Sequence, residues 1–180
     1  MAIDCRRIFI INGKAGSGKD TFVNFQKDYA KNQYGIDIIN ISTVDKVKEA
    51  ANLLGWNGVK DARSRKFLSD LKDLSGEYCD HPAQYCYKVA ESLPYNAWLY
   101  IHCREPEEIE KMKEHFSKQF TCFTILLDRP GVKAVTSNHA DADIDDYTYD
   151  FYLHNNDDLQ ALECLAQGFI TKMYIDPRGF

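Results

Sequence analysis

Residues 8–19 of the chain run Ile8-Phe-Ile-Ile-Asn-Gly-Lys-Ala-Gly-Ser-Gly-Lys19. The apolar half of this stretch is typical of a buried β-strand, and the glycine-rich half is typical of a tight turn. Glycines allow the backbone to curl so that successive N–H groups point inward, towards an anion. A helix that begins at such a turn adds its own unpaired N–H groups and the positive end of its dipole. The stretch is therefore predicted to be a phosphate-binding loop, with Lys19 on the β- and γ-phosphates of a nucleotide.

The residues after this lysine indicate a helix and a metal ligand. Phe22, Phe25 and Tyr29 recur at helical spacing, which predicts one buried helix face. Asp20 stands where a serine or threonine hydroxyl usually binds Mg²⁺, and a carboxylate is also a hard oxygen ligand, so Asp20 is the predicted metal ligand. Its alternative role is to complement the helix dipole. The residues predicted to bind the nucleotide here are Gly13, Ala15, Gly16, Ser17, Gly18, Lys19, Asp20 and Thr21.

Strand-like and helix-like segments alternate along the rest of the chain. Apolar runs predict strands at residues 8–12, 36–41, 97–101, 122–127 and 151–153. Helical periodicity predicts helices at residues 44–54, 61–74, from 82 onward, at 106–115 and around 159–173. The second of these is predicted to end before Gly76 and to share one apolar face formed by Phe67, Leu68, Leu71 and Leu74. This order predicts an α/β fold with a five-stranded, doubly wound parallel sheet and helices on both faces. Because such sheets bind ligands beyond the carboxyl ends of their strands, the site residues are expected to follow strands.

The chain is predicted to be one domain with two additions. Its 180 residues suit a single hydrophobic core. Residues 42–94, between the second and third strands, are mostly helical in pattern and form a candidate substrate-binding insertion. Residues 130–149 lack clear periodicity and form a candidate lid, which in a nucleotide enzyme closes over the reaction.

Composition and charge limit the classes of partner. Hydrophobic residues make up 44% and charged residues 27% of the chain, values ordinary for a soluble domain. The formal net charge of −5 argues against a nucleic acid polymer as partner, since that requires a basic surface. No apolar run approaches the length of a membrane span, and the N-terminus lacks a signal-peptide layout, so we expect a cytoplasmic protein without membrane contact. The oligomeric state stays open.

Cations that follow strands or lie in the insertion are candidates for the phosphates. Arg104 follows the third strand and Arg129 follows the fourth, and both are predicted to neutralise charge on the transferring group. In the insertion, the guanidinium group of an arginine can bind an acceptor phosphate through two parallel hydrogen bonds. A solvated helix face or an ordinary turn would explain the same residues, and Asp61 is also a good helix N-cap. The residues predicted to bind the acceptor are Lys60, Asp61, Arg63, Arg65 and Glu105.

These pieces together resemble the P-loop deoxynucleoside monophosphate kinases of phage and bacteria, and the related animal-type phosphomevalonate kinases. Residues 16–21, Gly-Ser-Gly-Lys-Asp-Thr, match the family's loop, including its unusual aspartate. The insertion segment with Lys60, Asp61 and Arg65 is similar to the family's substrate segment. The strand that leads to Arg104 is similar to its Asp-x-Arg strand end. Residues 149–155 resemble its last strand and the loop near the adenine, which implies that Asn155 binds the nucleotide.

One residue departs from this resemblance. The family's strand-end aspartate, which helps to hold Mg²⁺ or the acceptor, aligns with His102. His102 is either a base or a strand-end histidine with an internal partner. The departure leaves Asp20 and Glu105 as the acids available for a metal or an acceptor.

The sequence predicts an ATP-dependent, Mg²⁺-dependent kinase that transfers the γ-phosphate to a small phosphorylated acceptor, with a nucleoside monophosphate as the first choice. A GTPase is disfavoured because the chain lacks the Asn-Lys-x-Asp motif; the nearest segment, residues 155–158, lacks the lysine. The alternatives are a nucleotide-binding sensor without turnover, motivated by His102, and a kinase for an acceptor such as phosphomevalonate.

Overall fold

A computed structural model of the protein describes residues 5–59, 61–131, 144, 147–156 and 158–176. The described residues form five strands in one sheet: β1 (Arg7–Asn12), β2 (Asp37–Ser42), β3 (Ala97–His102), β4 (Thr121–Asp128) and β5 (Phe151–His154). Within the same ranges there are six helices: α1 (Lys19–Tyr34), α2 (Asp45–Leu53), α3 (Ala62–Cys79), α4 (His81–Glu91), α5 (Pro106–Phe116) and α6 (Leu159–Ile175).

All strand pairs of the sheet are parallel, and the spatial order is β2-β3-β1-β4-β5. The central strand β1 therefore lies between β3 and β4. In its register Ile11 pairs with His102 of β3 and with Ile125 of β4. The carboxyl ends of three strands consequently meet where the glycine-rich loop begins.

The core lies on both faces of the sheet. On one face, α1 and α6 cover a cluster that includes Phe9, Phe22 and Phe169. On the other face, α4 and α5 cover a cluster that includes Ile10, Cys86 and Met112. Strand β1 is buried from Ile8 to Asn12, because it is central and covered by helices on both sides, which explains its unbroken apolar run.

The predicted fold class is confirmed, with strand ends that shift by about one residue. One helix differs from expectation: α3 was predicted to end at Leu74, before Gly76, but it continues through Gly76 to Cys79. The predicted buried face of α3 is also wrong in part, because Leu74 is 65% exposed while Lys72 is buried. None of the described helices combines the length and the apolar character that crossing a membrane requires.

We expect Phe9→Ala to lower the free energy of unfolding by about 3–5 kcal/mol. The Phe9 ring is fully buried and stacks on Tyr100, with ring centroids 4.8 Å apart, so its removal leaves a cavity at the centre of the sheet. Urea unfolding measures the change. Leu159→Ala is the control, since Leu159 is 63% exposed and its loss should change stability by less than about 0.5 kcal/mol. Equal effects of the two substitutions would contradict the assignment of Phe9 to the core.

Candidate functional site

The glycine-rich loop follows β1 and curls back on itself. Gly13, Gly16 and Gly18 have φ values of 148°, 84° and 97°, which residues with a side chain rarely adopt. The Ser17 N–H donates to the Lys14 carbonyl at 3.0 Å and closes the turn. The loop ends at Gly18, and α1 begins at Lys19, so the positive end of the α1 dipole points into the loop.

Two of these glycines are also required by close packing. A Cβ atom on Gly13 would lie 2.3 Å from the carbonyl oxygen of Leu127 in β4. A Cβ atom on Gly18 would lie 2.8 Å from Nδ2 of Asn155. The loop therefore sits against the ends of β4 and β5, and a larger residue at Gly13 would push it away from the sheet.

Lys19 bends back over the loop that precedes it. Its Nζ donates to the Gly13 carbonyl, to the Lys14 carbonyl at 3.0 Å and to Ser17 Oγ at 3.4 Å. The ammonium group thus lies on the concave side of the loop, beside the backbone that would surround a phosphate. The role of Lys19 on the β- and γ-phosphates stays a prediction.

The side chain of Asn12, which is fully buried, connects the loop to its surroundings. Its Oδ1 accepts the Gly13 N–H at 2.7 Å, and its Nδ2 donates to the Arg104 carbonyl at 3.0 Å and to the Tyr149 hydroxyl at 2.7 Å. The Tyr149 hydroxyl also donates to the Ile144 carbonyl at 3.2 Å. Asn12 therefore joins the phosphate loop, the end of β3 and the end of the predicted lid segment.

Asn155 supports the loop from the other side. It is 5% exposed, and its Nδ2 donates to the Ser17 carbonyl at 2.9 Å. The sequence assigned Asn155 to nucleotide binding by resemblance, and the structure gives it direct contact with the loop. Next to it lies a cavity of about 210 Å³, open to solvent and lined by His154, Asn155, Asn156, Ala161, Leu162 and Leu165.

His102, at the end of β3, has an internal partner. Its Nε2 lies 2.8 Å from Asn40 Oδ1 and 3.7 Å from the Asp20 carboxylate. Burial lowers the pKa of His102 from 6.5 to about 4, even though the nearby Asp20 carboxylate acts in the opposite direction. The imidazole is therefore neutral at pH 7 and is held by a hydrogen bond, which agrees with the second of the two roles expected for it.

Asp20 fits the metal-ligand role in position and chemistry. It is the second residue of α1, and its side chain is 83% exposed. Among the ion pairs between described residues, its carboxylate meets only the weakly basic His102 and no lysine or arginine. One exposed carboxylate beside a phosphate loop suits Mg²⁺, which retains several waters and binds few protein oxygens. Thr21, which follows in the first turn of α1, is half-buried.

A second polar cluster follows β3, and the sequence did not predict it. The Lys72 ammonium lies 2.7 Å from Glu105 Oε2 and 3.0 Å from Glu108 Oε1. The Cys103 thiol donates to Glu108 Oε2 at 3.5 Å. Cys103, Glu105 and Glu108 lie close enough to share a metal ion, but the ammonium between the carboxylates already supplies the positive charge. We assign this cluster to an ion pair.

The predicted cations occupy different parts of the surface. Arg104 is half-buried after β3, and Arg129 is exposed after β4, where the sequence predicted them. Arg63 and Arg65 are exposed in the first turn of α3, and neither forms an ion pair with another residue that the structure describes. Asp61 is the N-cap of α3, accepting the Ser64 N–H at 2.7 Å. Lys60, which was predicted to bind the acceptor, lies outside the described residues.

Sequence reasoning missed three residues that shape the site. Asn12 is a polar residue at the end of an apolar strand, a pattern that could have identified it. Lys72 and Asn40 gave no such indication, because their partners are 33 and 62 residues away along the chain. Both depend on pairings that only the folded chain creates.

Comparisons with known proteins support the fold. No protein-family model matches the chain, and no curated protein matches it. Among solved structures, it is similar to Mycobacterium tuberculosis APS kinase CysC in complex with AMPPNP and APS, with 14% identity, a TM-score of 0.53, and coverage of 94% of this chain and 98% of that chain. A Chloroflexus aurantiacus protein named as a kinase gives 11% identity, a TM-score of 0.52, and coverage of 94% and 98%. At this identity the likeness shows the fold alone, the parallel α/β architecture that this chain shares with these structures.

The neutral state of His102 predicts a dependence of stability on pH. Between about pH 4 and pH 6.5 the unfolded histidine binds a proton and the folded one does not, so the free energy of unfolding falls as the pH drops through this range. Between pH 7 and pH 5, we expect His102→Gln to lose about 1–2 kcal/mol less of its free energy of unfolding than the unchanged protein does. Urea unfolding at both pH values measures it, with the exposed His81→Gln as the control. The same pH slope in His102→Gln and in the unchanged protein would refute the assignment.

Proposed function

We propose that the protein transfers the γ-phosphate of ATP to a small phosphorylated acceptor. The observation that carries the proposal is Lys19, whose ammonium lies on the concave side of a glycine-rich loop at the N-terminus of α1. That arrangement combines backbone donors, a helix dipole and a point charge, which together suit the phosphates of a nucleoside triphosphate.

The nucleotide side of the proposed site extends from the loop to β5. The loop N–H groups and Lys19 would bind the β- and γ-phosphates, and Thr21 the α-phosphate. The cavity next to Asn155 offers apolar side chains from Leu162 and Leu165 together with amide groups. Planar, partly polar ligands such as nucleobases suit a pocket of this kind. Asn155 lines this cavity and also donates a hydrogen bond to the loop, which supports ATP as the ligand.

Mg²⁺ would be held by Asp20, and when bound it would neutralise charge on the β- and γ-phosphates. Phosphoryl transfer asks the protein mainly for positioning and for charge neutralisation. We assign the neutralising role to Lys19, Arg104 and Arg129, which follow the ends of β1, β3 and β4. An acceptor that attacks through a phosphate oxygen is already an anion, so the protein need supply no general base.

The acceptor side is assigned to the insertion. Arg63 and Arg65 lie in the first turn of α3, where no described carboxylate forms an ion pair with them, and a guanidinium group binds a phosphate with two parallel hydrogen bonds. The acceptor proposed first is a nucleoside monophosphate, on the resemblance of the loop and the insertion. APS, which one structural neighbour binds, and phosphomevalonate are the other candidates.

A second function is a nucleotide-binding protein that does not transfer phosphate. The observation that favours it is His102, a neutral side chain at the position where the kinases that this sequence resembles have an acid. Asp20 is then a single exposed carboxylate in the first turn of α1, and among the ion pairs of the described residues it meets only His102. Tight ATP binding without transfer to any acceptor would support this function.

Lys19→Ala should lower the rate of ATP turnover by about 10²-fold or more, because transition-state charge loses its closest cation. It should also weaken ATP binding, which calorimetry measures directly. Lys27→Ala removes the same charge from an exposed position of α1 and should leave both quantities unchanged. If Lys19→Ala retained full turnover and affinity, the nucleotide site would be wrongly assigned.

A panel of acceptors tests the substrate class. ADP release is measured with ATP, Mg²⁺ and each of the four common deoxynucleoside monophosphates, APS and phosphomevalonate, and we expect one nucleoside monophosphate to give turnover. Arg65→Gln should then raise the KM for that acceptor by about tenfold, the value of one lost charge-assisted hydrogen-bond pair, and leave the KM for ATP unchanged.

The control for this test is Lys88→Gln, which removes one positive charge from an exposed position of α4. A rise in the KM for ATP equal to the rise for the acceptor would contradict the assignment of Arg65. If none of the acceptors in the panel gives turnover, the result favours the nucleotide-binding alternative.

A further inference from the structure

Helix α3 docks on the body of the protein through a charged residue. Within α3, all of whose residues the structure describes, Lys72 alone is buried, with 7% of its surface exposed. The apolar residues Phe67, Leu68 and Leu71 are only half-buried, and Leu74 is 65% exposed. These side chains belong to a helix that packs on α2 and α4. Its contact with the segment after β3 is the ion pair of Lys72.

The partners of Lys72 compensate for its burial. Burial by itself lowers the pKa of Lys72, but the carboxylates of Glu105 and Glu108 outweigh it and raise the pKa above its ordinary value. Burial by itself raises the pKa of Glu105, but the charge and hydrogen bond of Lys72 help to hold that pKa below its ordinary value. Both groups are therefore charged at pH 7. A buried ion pair of this kind is weak evidence for stability, but removal of one partner leaves an uncompensated charge.

Glu105 belongs to the segment that borders the phosphate loop. It is the residue after Arg104, whose carbonyl accepts the Asn12 Nδ2–H at 3.0 Å. Asn12 in turn accepts the first N–H of the loop, that of Gly13, at 2.7 Å. Short contacts therefore run from the side chain of Lys72 to the backbone of the loop.

Arg65 lies on the same side of α3 as Lys72. The two residues are seven positions apart, which is close to two full helical turns, and the rise between them is about 10 Å. Together with the packing of α3 on α2 and α4, the ion pair of Lys72 therefore restricts the rotation of α3 and the position of Arg65 along it. A helix docked by apolar contacts alone could slide or rotate at smaller cost, since such contacts are not directional.

We propose that Lys72 is a positioning residue for the acceptor side of the site: by pairing with Glu105 and Glu108, it holds α3, and Arg65 with it, in place relative to the end of β3. This role rests on the proposed function, because Arg65 is the residue assigned to the acceptor phosphate. Lys72 itself touches neither substrate. Its loss should disturb binding of the acceptor and spare the nucleotide, whose loop is held by Asn12 and Asn155.

The test replaces Lys72 by methionine, which has a similar length and no charge. We expect Lys72→Met to raise the KM for the panel acceptor with the highest turnover by about tenfold or more, the effect of one lost charge-assisted contact. The KM for ATP should change by less than about twofold. Amide hydrogen exchange of the protein without ligands should become faster in residues 62–79 and stay unchanged in residues 19–34. Glu108→Gln removes one of the two carboxylate charges that face Lys72. It should change the acceptor KM and the exchange of residues 62–79 in the same direction as Lys72→Met, by a smaller amount.

The matched control is Lys66→Met on the same helix. Lys66 pairs with Asp70 at 2.8 Å, but its side chain is 75% exposed, so its loss should change neither the exchange of α3 nor either KM. Unchanged exchange and unchanged acceptor KM in Lys72→Met would overturn the proposal, and so would equal losses for acceptor and ATP. If Lys72→Met does not fold, Glu108→Gln decides by the same criteria. If the unchanged protein phosphorylates no acceptor, the proposed function fails, and the exchange of α3 still decides whether Lys72 holds the helix.

Discussion

The hydrogen bonds of Asn12 are the constraint on which the rest of the site depends. A buried amide left without partners costs about 1–3 kcal/mol, and Asn12 avoids this by bonding to three separate segments. Each bond fixes the position of one segment relative to the others: the start of the phosphate loop, the turn after β3 and the chain that returns to β5. Asn12 is the last residue of the central strand β1, which lies between β3 and β4, so the turn after β3 is within reach of its side chain.

That strand order separates the two ends of the loop. Gly13 lies so close to the Leu127 carbonyl of β4 that it has no room for a Cβ atom, while Gly18 packs in the same way on Asn155 after β5. The proposed nucleotide side of the site is therefore built on β1, β4 and β5. The proposed acceptor side, in contrast, lies on α3, which belongs to the insertion between β2 and β3 and contacts the turn after β3 at Glu105. The β3 turn, from Cys103 to Glu105, is the place where the two sides touch.

The sheet could be predicted from sequence because each strand is a short apolar run with glycine, proline or polar residues at its ends. The loop could be predicted because its glycines and Lys19 act locally, within seven residues. The errors come from interactions between distant residues. A lysine on an amphipathic helix is ordinarily expected to face solvent, and Lys72 faces inward because two carboxylates more than 30 residues away neutralise it. Gly76 was expected to end α3, yet the helix passes through it, since glycine weakens a helix without forbidding it.

The two sides of the site are held by different physical interactions, and this difference has consequences for how each can change. The phosphate loop is fixed by glycine conformations and by fully buried amide bonds, so nearly any change there would disturb the sheet as well. Helix α3, which we propose to carry the acceptor, is held by the ion pair of Lys72 and by half-buried apolar contacts, so α3 can be altered while β1 and the loop remain intact. On the proposed function, substitution within α3 would then change which acceptor is bound without loss of the nucleotide. The same reasoning explains why the loop was visible in the sequence and the contact between Lys72 and Glu105 was not: local geometry leaves a motif, and a long-range ion pair does not.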